Sequence, residues 1–554
     1  MLSLSLERES ILLFALLEAL VDPRGMRMGN GWRYSLLLFE SRLKKEGRTC
    51  LVMAEDAGGR GIFFPLLLLF LAHSLGAPIW LLVMIGIWYS GLVYAESSGI
   101  LDRLDATRAM GIILMIRTRR GMRLLDFVSK PKRFWRGFGE LSIWLCFFVM
   151  FMVVLLLFLS AIAVAVSPPE DPLPASDLLL IPGVTSFVPF WWPALALIVA
   201  IVIHEYSHGI QARVHGMRLR SFGILQLGPL PMGAFAEPEE SEMLRAPRRE
   251  RLRLFAAGPS INIFATYIVL ILLSSVASGM VAENEGVHAR GIVVGGGAEE
   301  AGLLPFETIT EIDGTRIEGY SDFSSEMDGI AAGDKANLTV LSWSDGSESW
   351  SERTIVVTMG DRYQYFIDEC DGDEGCIEDT TRLLDFWEVE PGDAFLGVSN
   401  LVSSTGGVDG YANIVQGEYS AFGTALSMVA RPLFMLNVPI ANDGQTMIHQ
   451  ERVMLVAGDG AIASIIGTDG MLMVFDFLFW LVWINFLLGF ANLIPMIPFD
   501  GGHLVRDGVH SLLRKVGRKY HPIRIEVLSN RISSLSSIFI LLVLMIPVII
   551  PRII

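Results

Sequence analysis

Charge is scarce in this chain: 18% of its 554 residues are Asp, Glu, Lys or Arg, and the basic ones number 43 against 59 acidic. Soluble domains carry about 25% charged residues. With 52% hydrophobic residues and a mean hydropathy of +0.50, the composition excludes a soluble globular protein. Basic residues are few and hug the ends of apolar runs, which is a membrane-topology pattern and speaks against a nucleic-acid surface. Cysteine is rarer still, at 4 residues, too few for a disulfide-built scaffold. Cys50 and Cys146 are isolated, and Cys146 lies inside an apolar run. Cys370 and Cys376 bracket CDGDEGC, and on the outer side of a membrane they are expected to form a disulfide. Two thiols alone make a poor zinc site, and calcium on Asp368, Asp371 and Asp373 is a lesser alternative. No cleavable leader is legible, because the apolar block at Ile62 lacks a small-residue cleavage site, and Met53 is an alternative start.

What the chain has in quantity is apolar runs near the length of about 20 residues that crosses hydrocarbon. They fall at Leu141–Val166, Phe187–His204, Phe255–Ser278, Met471–Leu493 and Ile538–Ile554. A longer block, Ile62–Ala95, is divided at Gly76-Ala77-Pro78 and supplies one or two more; a further apolar stretch, Ile11–Val21, carries no readable chemistry. The reading is a polytopic α-helical membrane protein with six or seven transmembrane helices. Charge is distributed unevenly along it. Val281–Gly470 holds 33 acidic and 8 basic residues, whereas basic residues gather at Lys130–Arg136, Arg245–Arg253 and Arg514–Arg524. Short basic loops mark the cytoplasmic side, so the acidic segment is expected outside the cell.

The chemistry concentrates at Pro193–Gly209. Eleven apolar residues, Pro193–Ile203, lead directly into His204, Glu205, Tyr206, Ser207 and His208. On a helix of 3.6 residues per turn, His204 and His208 stand on one face and can clasp one metal ion, with Glu205 beside them. Two imidazoles suit Zn²⁺, which needs a further ligand and an open position for water, and the Glu can take that water's proton. The competing reading is a structural pair of histidines at a membrane interface. After the motif, GILQLGPLPMGAFAEPEE, with Gly223, Gly228 and Gly233, predicts a β-hairpin dipping toward the membrane, whose edge could pair with an extended peptide. The next span opens with AAGPSIN, where Pro259 is a breaker and Asn262 either packs helices or faces the catalytic cavity. The segment GIILMIRTRRG before the first of these spans reads as a strand and turn.

Late in the chain, ANLIPMIPFDGGHLV sets Asp500 among prolines and glycines against apolar neighbours. An ionisable group there is a functional hypothesis, and the metal still lacking a ligand is its partner; His503 is the rival, and Asp500 is preferred because the chain can turn its side chain into the bundle. Of the two amides at that depth, Asn492 is a better candidate for a substrate contact than Asn485. The acidic segment opens as a strand, a glycine turn, a short helix with AGL and a strand ending at Asp313-Gly314, a PDZ-like order up to about Gly360.

These pieces together resemble the site-2 protease family of intramembrane zinc metalloproteases, over roughly Leu141 to His503. The stretch KPKRFWRGFG is similar to archaeal members. The resemblance implies one zinc held by His204, His208 and Asp500, Glu205 as catalytic base, and Asn492, Asn262 and the hairpin at Gly228 and Gly233 at the substrate. It implies single-span membrane protein substrates, already shortened by another protease, cut in the lipid bilayer near the cytoplasmic face. The chain then divides into 1–138 (N-terminal region), 139–280 (first half of the core), 281–360 (an extracytoplasmic PDZ-like α+β domain), 361–470 (extension with the Cys loop) and 471–554 (second half of the core). Two alternatives are a membrane-anchored zinc protease of the heat-shock type, with a glutamate as third ligand, and a non-catalytic PDZ scaffold.

Overall fold

The computed structural model describes residues 79–554 except 110–112, 119–120, 170–173, 175–176, 178–179, 229, 417–419, 517–520 and 554. Ile11–Val21, Cys50, Met53 and the part of the Ile62 block before residue 79 lie outside the described residues. Among the described residues five helices are long and apolar enough to cross a bilayer: α1 Lys132–Val166, α2 Trp191–Val214, α3 Arg248–Ala277, α4 Ala461–Ala491 and α6 Pro522–Ile553, with the amphipathic α5 Asp500–Val516 between the last two. The apolar end of the Ile62 block forms a shorter helix, Ile79–Ser97. Uninterrupted apolar sequence makes spans helical because, in lipid, only a helix satisfies its own backbone groups.

Two of these helices depart from the expected bounds. Helix α2 does not end at the histidines but runs on to Val214, because Ile210, Ala212 and Val214 are buried against the sheet described below. Helix α3 does not break at Pro259. The proline removes only the bond to Phe255 O, and the helix around it is held by its neighbours: Leu254 O accepts from His208, Ala256 O from Cys146 and Ala257 O from Ser207. Helix α4 is interrupted at Gly467, whose φ of 69° needs a glycine, and its unbroken part covers the expected start at Met471. It is the central helix, buried along most of its length, whereas α1 and α6 keep most of their surface outward. Phe475, Phe479 and Trp480 pack there with Ala196 and Ala200 of α2 and Leu270 and Leu273 of α3.

A four-stranded antiparallel sheet adjoins α2, in the order β1 Ala106–Ala109, β2 Ile113–Thr118, β3 Leu219–Leu227, β4 Leu230–Pro238. The β3–β4 hairpin lies where the glycines predict it: Gly228 turns with φ 62° and Gly233 pairs with Leu225. The GIILMIRTRRG segment supplies β2, with Ile116 paired to Ile224, and leaves β4 as the edge.

The acidic segment builds a second, six-stranded sheet in the order β9 Ser349–Thr358, β8 Lys335–Ser344, β6 Thr308–Ile312, β5 Val287–Ile292, β10 Val398–Ser403, with β7 Thr315–Arg316 hairpinned onto β6 through Asp313-Gly314. Val287, Ile309, Ile312 and Leu338 form its fully buried core. The sheet does not stop at Gly360: β10, from the segment that sequence left unassigned, pairs with β5. Cys370 and Cys376 are bridged. Of the aspartates beside them, Asp373 caps the helix Glu374–Phe386 and Asp368 accepts from Gln364. Arg452 forks onto Asp476 of α4 at 3.0 and 2.9 Å, and Met280–Ala282 pairs with Leu455–Ala457, tying this domain to the helices.

Candidate metal centre between three helices

His204 and His208, one turn apart on α2, point their Nε2 atoms at one another 3.2 Å apart. Oδ2 of Asp500, from the first turn of α5, lies 3.2 Å from each. Three donor atoms thus form a near-equilateral triangle. Around a tetrahedral ion with bonds of about 2.0 Å, ligand atoms sit about 3.3 Å apart, so the spacing matches that of zinc ligands. His503, the rival to Asp500, stacks flat on Phe255 at 4.4 Å instead.

The protonation pattern makes the same point independently. His208 Nδ1 lies 2.7 Å from Leu254 O, which can only accept, so that nitrogen carries the proton. His204 Nδ1 lies 3.0 Å from Oδ1 of Asn262. The amide is oriented by its other end, since Nδ2 of Asn262 donates to Ala200 O at 3.2 Å and to Oδ1 of Asn485 at 3.1 Å, and Nδ2 of Asn485 donates to Leu481 O at 2.8 Å. Both Nδ1 atoms being donors, both Nε2 atoms offer lone pairs toward each other and toward a carboxylate. Such a convergence is repulsive without a cation, and it is the arrangement in which metal-binding histidines are held by outer partners. These residues therefore fit a zinc ion. Glu205 joins the same grouping, its ligand oxygen and the two imidazole nitrogens all within 4.8 Å. Among the described residues no second such grouping of His, Cys, Asp or Glu occurs.

The supports come from every element around the site. Asp500 stands where α5 begins because Gly501 and Gly502 let that helix lie directly on the loop before it; a side-chain carbon on Gly501 would meet Ile494 O at 2.6 Å. Gly501 N donates to Asn492 O at 2.7 Å. Two turns further along α5, buried Asp507 receives Arg248 Nη1 at 3.1 Å and Arg251 Nε at 3.0 Å from α3, and Arg248 reaches Glu526 of α6 at 2.5 Å. Glu205 accepts the backbone N–H of Ala236 in β4, N to Oε2 2.8 Å. Tyr206, within the motif, turns the other way, stacking on Phe222 of β3 and donating to Gly121 O.

The residues expected at the substrate are dispersed. Asn262 is fully buried and its whole amide is spent on His204, Ala200 and Asn485, so its place in the fold is behind the histidine and not on a cleft. Asn492 donates to Leu488 O of its own helix. Gly228 is at the hairpin turn and Gly233 within β4. Sequence reasoning ranked Asn485 below Asn492, yet Asn485 is the amide in the network behind His204; a lone amide in the middle of an apolar span was its signal. The Leu254 carbonyl and the Ala236 N–H carry no sequence signal, because any residue has them.

Replacing Asn262 by Leu should weaken zinc binding about 10–100-fold, the usual cost of losing a partner of a metal-bound histidine. Competition against a chelator measures it, and unchanged affinity would remove Asn262 from the site.

Comparison with known proteins agrees with the geometry. The model of Peptidase family M50 matches residues 192–540, from the start of α2 into α6. An uncharacterized protein of Methanocaldococcus jannaschii is 31% identical over 247 residues, 44% of this chain and 62% of that protein's length. The zinc metalloprotease Rip1 of Mycobacterium tuberculosis is 23% identical over 378 residues, 59% of this chain and 87% of the other. With a match across most of its length, and with both ends of the metal triangle inside it, the chain belongs to peptidase family M50, the site-2 protease family.

Proposed function

We propose that this membrane zinc metalloprotease hydrolyses peptide bonds of transmembrane substrates at the depth of the bilayer, toward the cytoplasmic face. The observation that carries the reading is the triangle of His204, His208 and Asp500, three donors from helices α2 and α5, His204 buried and the other two nearly so, beside apolar spans. Zinc bound there would supply Lewis-acid polarisation of the scissile carbonyl and of a water. Glu205 takes the water's proton and delivers it to the leaving amine; the Ala236 N–H holds one of its oxygens and leaves the other for the transfer. Asn262 and Leu254 fix the imidazole orientations.

A helical substrate hides its carbonyls in internal bonds and must be unwound before it reaches the site. The edge strand β4 offers an alternative set of partners. The backbone of Ala236 faces outward to Glu205, so by alternation that of Ala234 faces the same open edge, where an extended peptide could add as a strand. The hairpin would thus clamp the substrate and hold the base together. In this reading the acidic domain is a PDZ-like module on the extracytoplasmic side, the hairpin is reentrant, and Asn492 lies along the substrate path. The basic loops at Arg245–Arg253 and Arg514–Arg524 support the orientation.

The test uses the full chain in liposomes with a single-span substrate. Wild type should hold stoichiometric zinc and cut inside the span, and Asp500→Ala should lose both. Retention of zinc in Asp500→Ala, with cuts confined to exposed loops, would favour the heat-shock type; a wild type with neither zinc nor cleavage would leave only a scaffold.

A further inference from the structure

The helix Ala421–Met435 presents an apolar face that none of the described residues covers. Phe422, Leu426, Val429 and Leu433 are 79%, 59%, 60% and 48% exposed. At about 100° per residue these four fall within one narrow stripe. Its opposite side is fixed to the protein: Met428 and Met435 pack into the core shared by α2, α3 and α4, and Arg431, half a turn from Phe422, lies over the ring of Tyr411 at 5.7 Å. Arg431 is the only charged residue of the helix.

Its position follows from α3. Ser274 of that helix hydrogen-bonds Tyr411 O and Val415 N, in the segment against which the 421–435 helix packs. Arg253, the last charged residue at the start of α3, is twenty-one residues earlier, or about 32 Å along the axis. A hydrocarbon core is about 30 Å thick. The stripe therefore sits where α3 leaves the far side of the membrane, opposite the basic boundary. The spans it packs against also carry exposed apolar side chains, Ile268, Ile271 and Leu272 on α3 and Ile462, Ile465 and Ile466 at the start of α4.

We propose that the helix Ala421–Met435 lies in the membrane surface on the side away from Arg253, its stripe sunk into the acyl boundary, and so holds the acidic domain at a fixed height over the helices. The attachment is apolar, since the one cation faces inward; it does not depend on anionic lipid or on salt. The occupant of the face is lipid, and a second copy or another protein is an outcome that would overturn the proposal.

The experiment uses the full chain in phosphatidylcholine nanodiscs on a Cys50→Ser, Cys146→Ser background, which leaves the bridged pair untouched. A nitroxide placed by Leu426→Cys is compared with one placed by Ser347→Cys on an exposed turn of the acidic domain. The Leu426→Cys label should lose collisions with a nickel chelate and gain them with oxygen, unchanged by salt or by added anionic lipid. Nickel access equal to that at Ser347→Cys, exclusion of both reagents, or spin–spin broadening between copies would each overturn it. Adding Val429→Asp to the labelled chain should restore nickel access while zinc content stays the same, which separates the anchor from the metal centre.

Discussion

Gly258→Ala is expected to purify folded, without zinc and without proteolytic activity. Gly258 lies on α3 where that helix faces the two histidines. A methyl carbon there would stand 2.6 Å from Nε2 of His204 and closer still to Nε2 of His208, in the space onto which those two nitrogens converge. Neither ring can yield freely, because each is pinned through Nδ1. Gly258 precedes Pro259, and a side-chain carbon before a proline disfavours the helical conformation, so the helix is measured alongside the metal. Elemental analysis beside thermal denaturation decides the matter: stoichiometric zinc in Gly258→Ala would mean that the ion does not lie between these nitrogens.

Glu205→Gln should do the reverse, keeping zinc and losing turnover. The amide oxygen of Gln can still accept the Ala236 N–H, so β4 and the motif stay in place. What goes is the group able to take a proton, a contribution of about 10²–10⁴-fold. Single-turnover cleavage of a liposomal substrate, read with zinc content, separates the outcomes. Full activity would remove Glu205 from catalysis; loss of zinc would make it a ligand, which its carboxylate, within 4.8 Å of the imidazole nitrogens, is near enough to be.

Much of the candidate centre is legible in the sequence. The spacing of His204 and His208 predicts their shared face, and a carboxylate among glycines and prolines in an apolar context marks Asp500. The hairpin follows from Gly228 and Gly233. Reading the sequence went astray where one backbone depends on another. Pro259 reads as a breaker, but α3 runs through it, in a stretch whose carbonyls at Leu254, Ala256 and Ala257 are tied to His208, Cys146 and Ser207 of the neighbouring helices. The motif reads as a helix end, but packing against the sheet carries α2 on to Val214. Asn262 reads as a residue that could face a cavity, and its burial was decided by Asn485, 223 residues away.

The order of residues by itself determined which groups able to ligate a metal this protein owns, that two of them share a helix face, and that the helix carrying those two is apolar enough for lipid, because helical pitch and the cost of exposing apolar surface act locally. Only the tertiary structure decided that Asp500 meets those histidines, that β4 rather than another strand lies against Glu205, and that Gly258 keeps the centre open. Those outcomes depend on how α2, α3, α4 and α5 bury one another and on the Arg248, Arg251 and Asp507 contacts that fix α5. No local stretch encodes the relative placement of helices, since it is set by the sum of contacts between segments far apart in the chain.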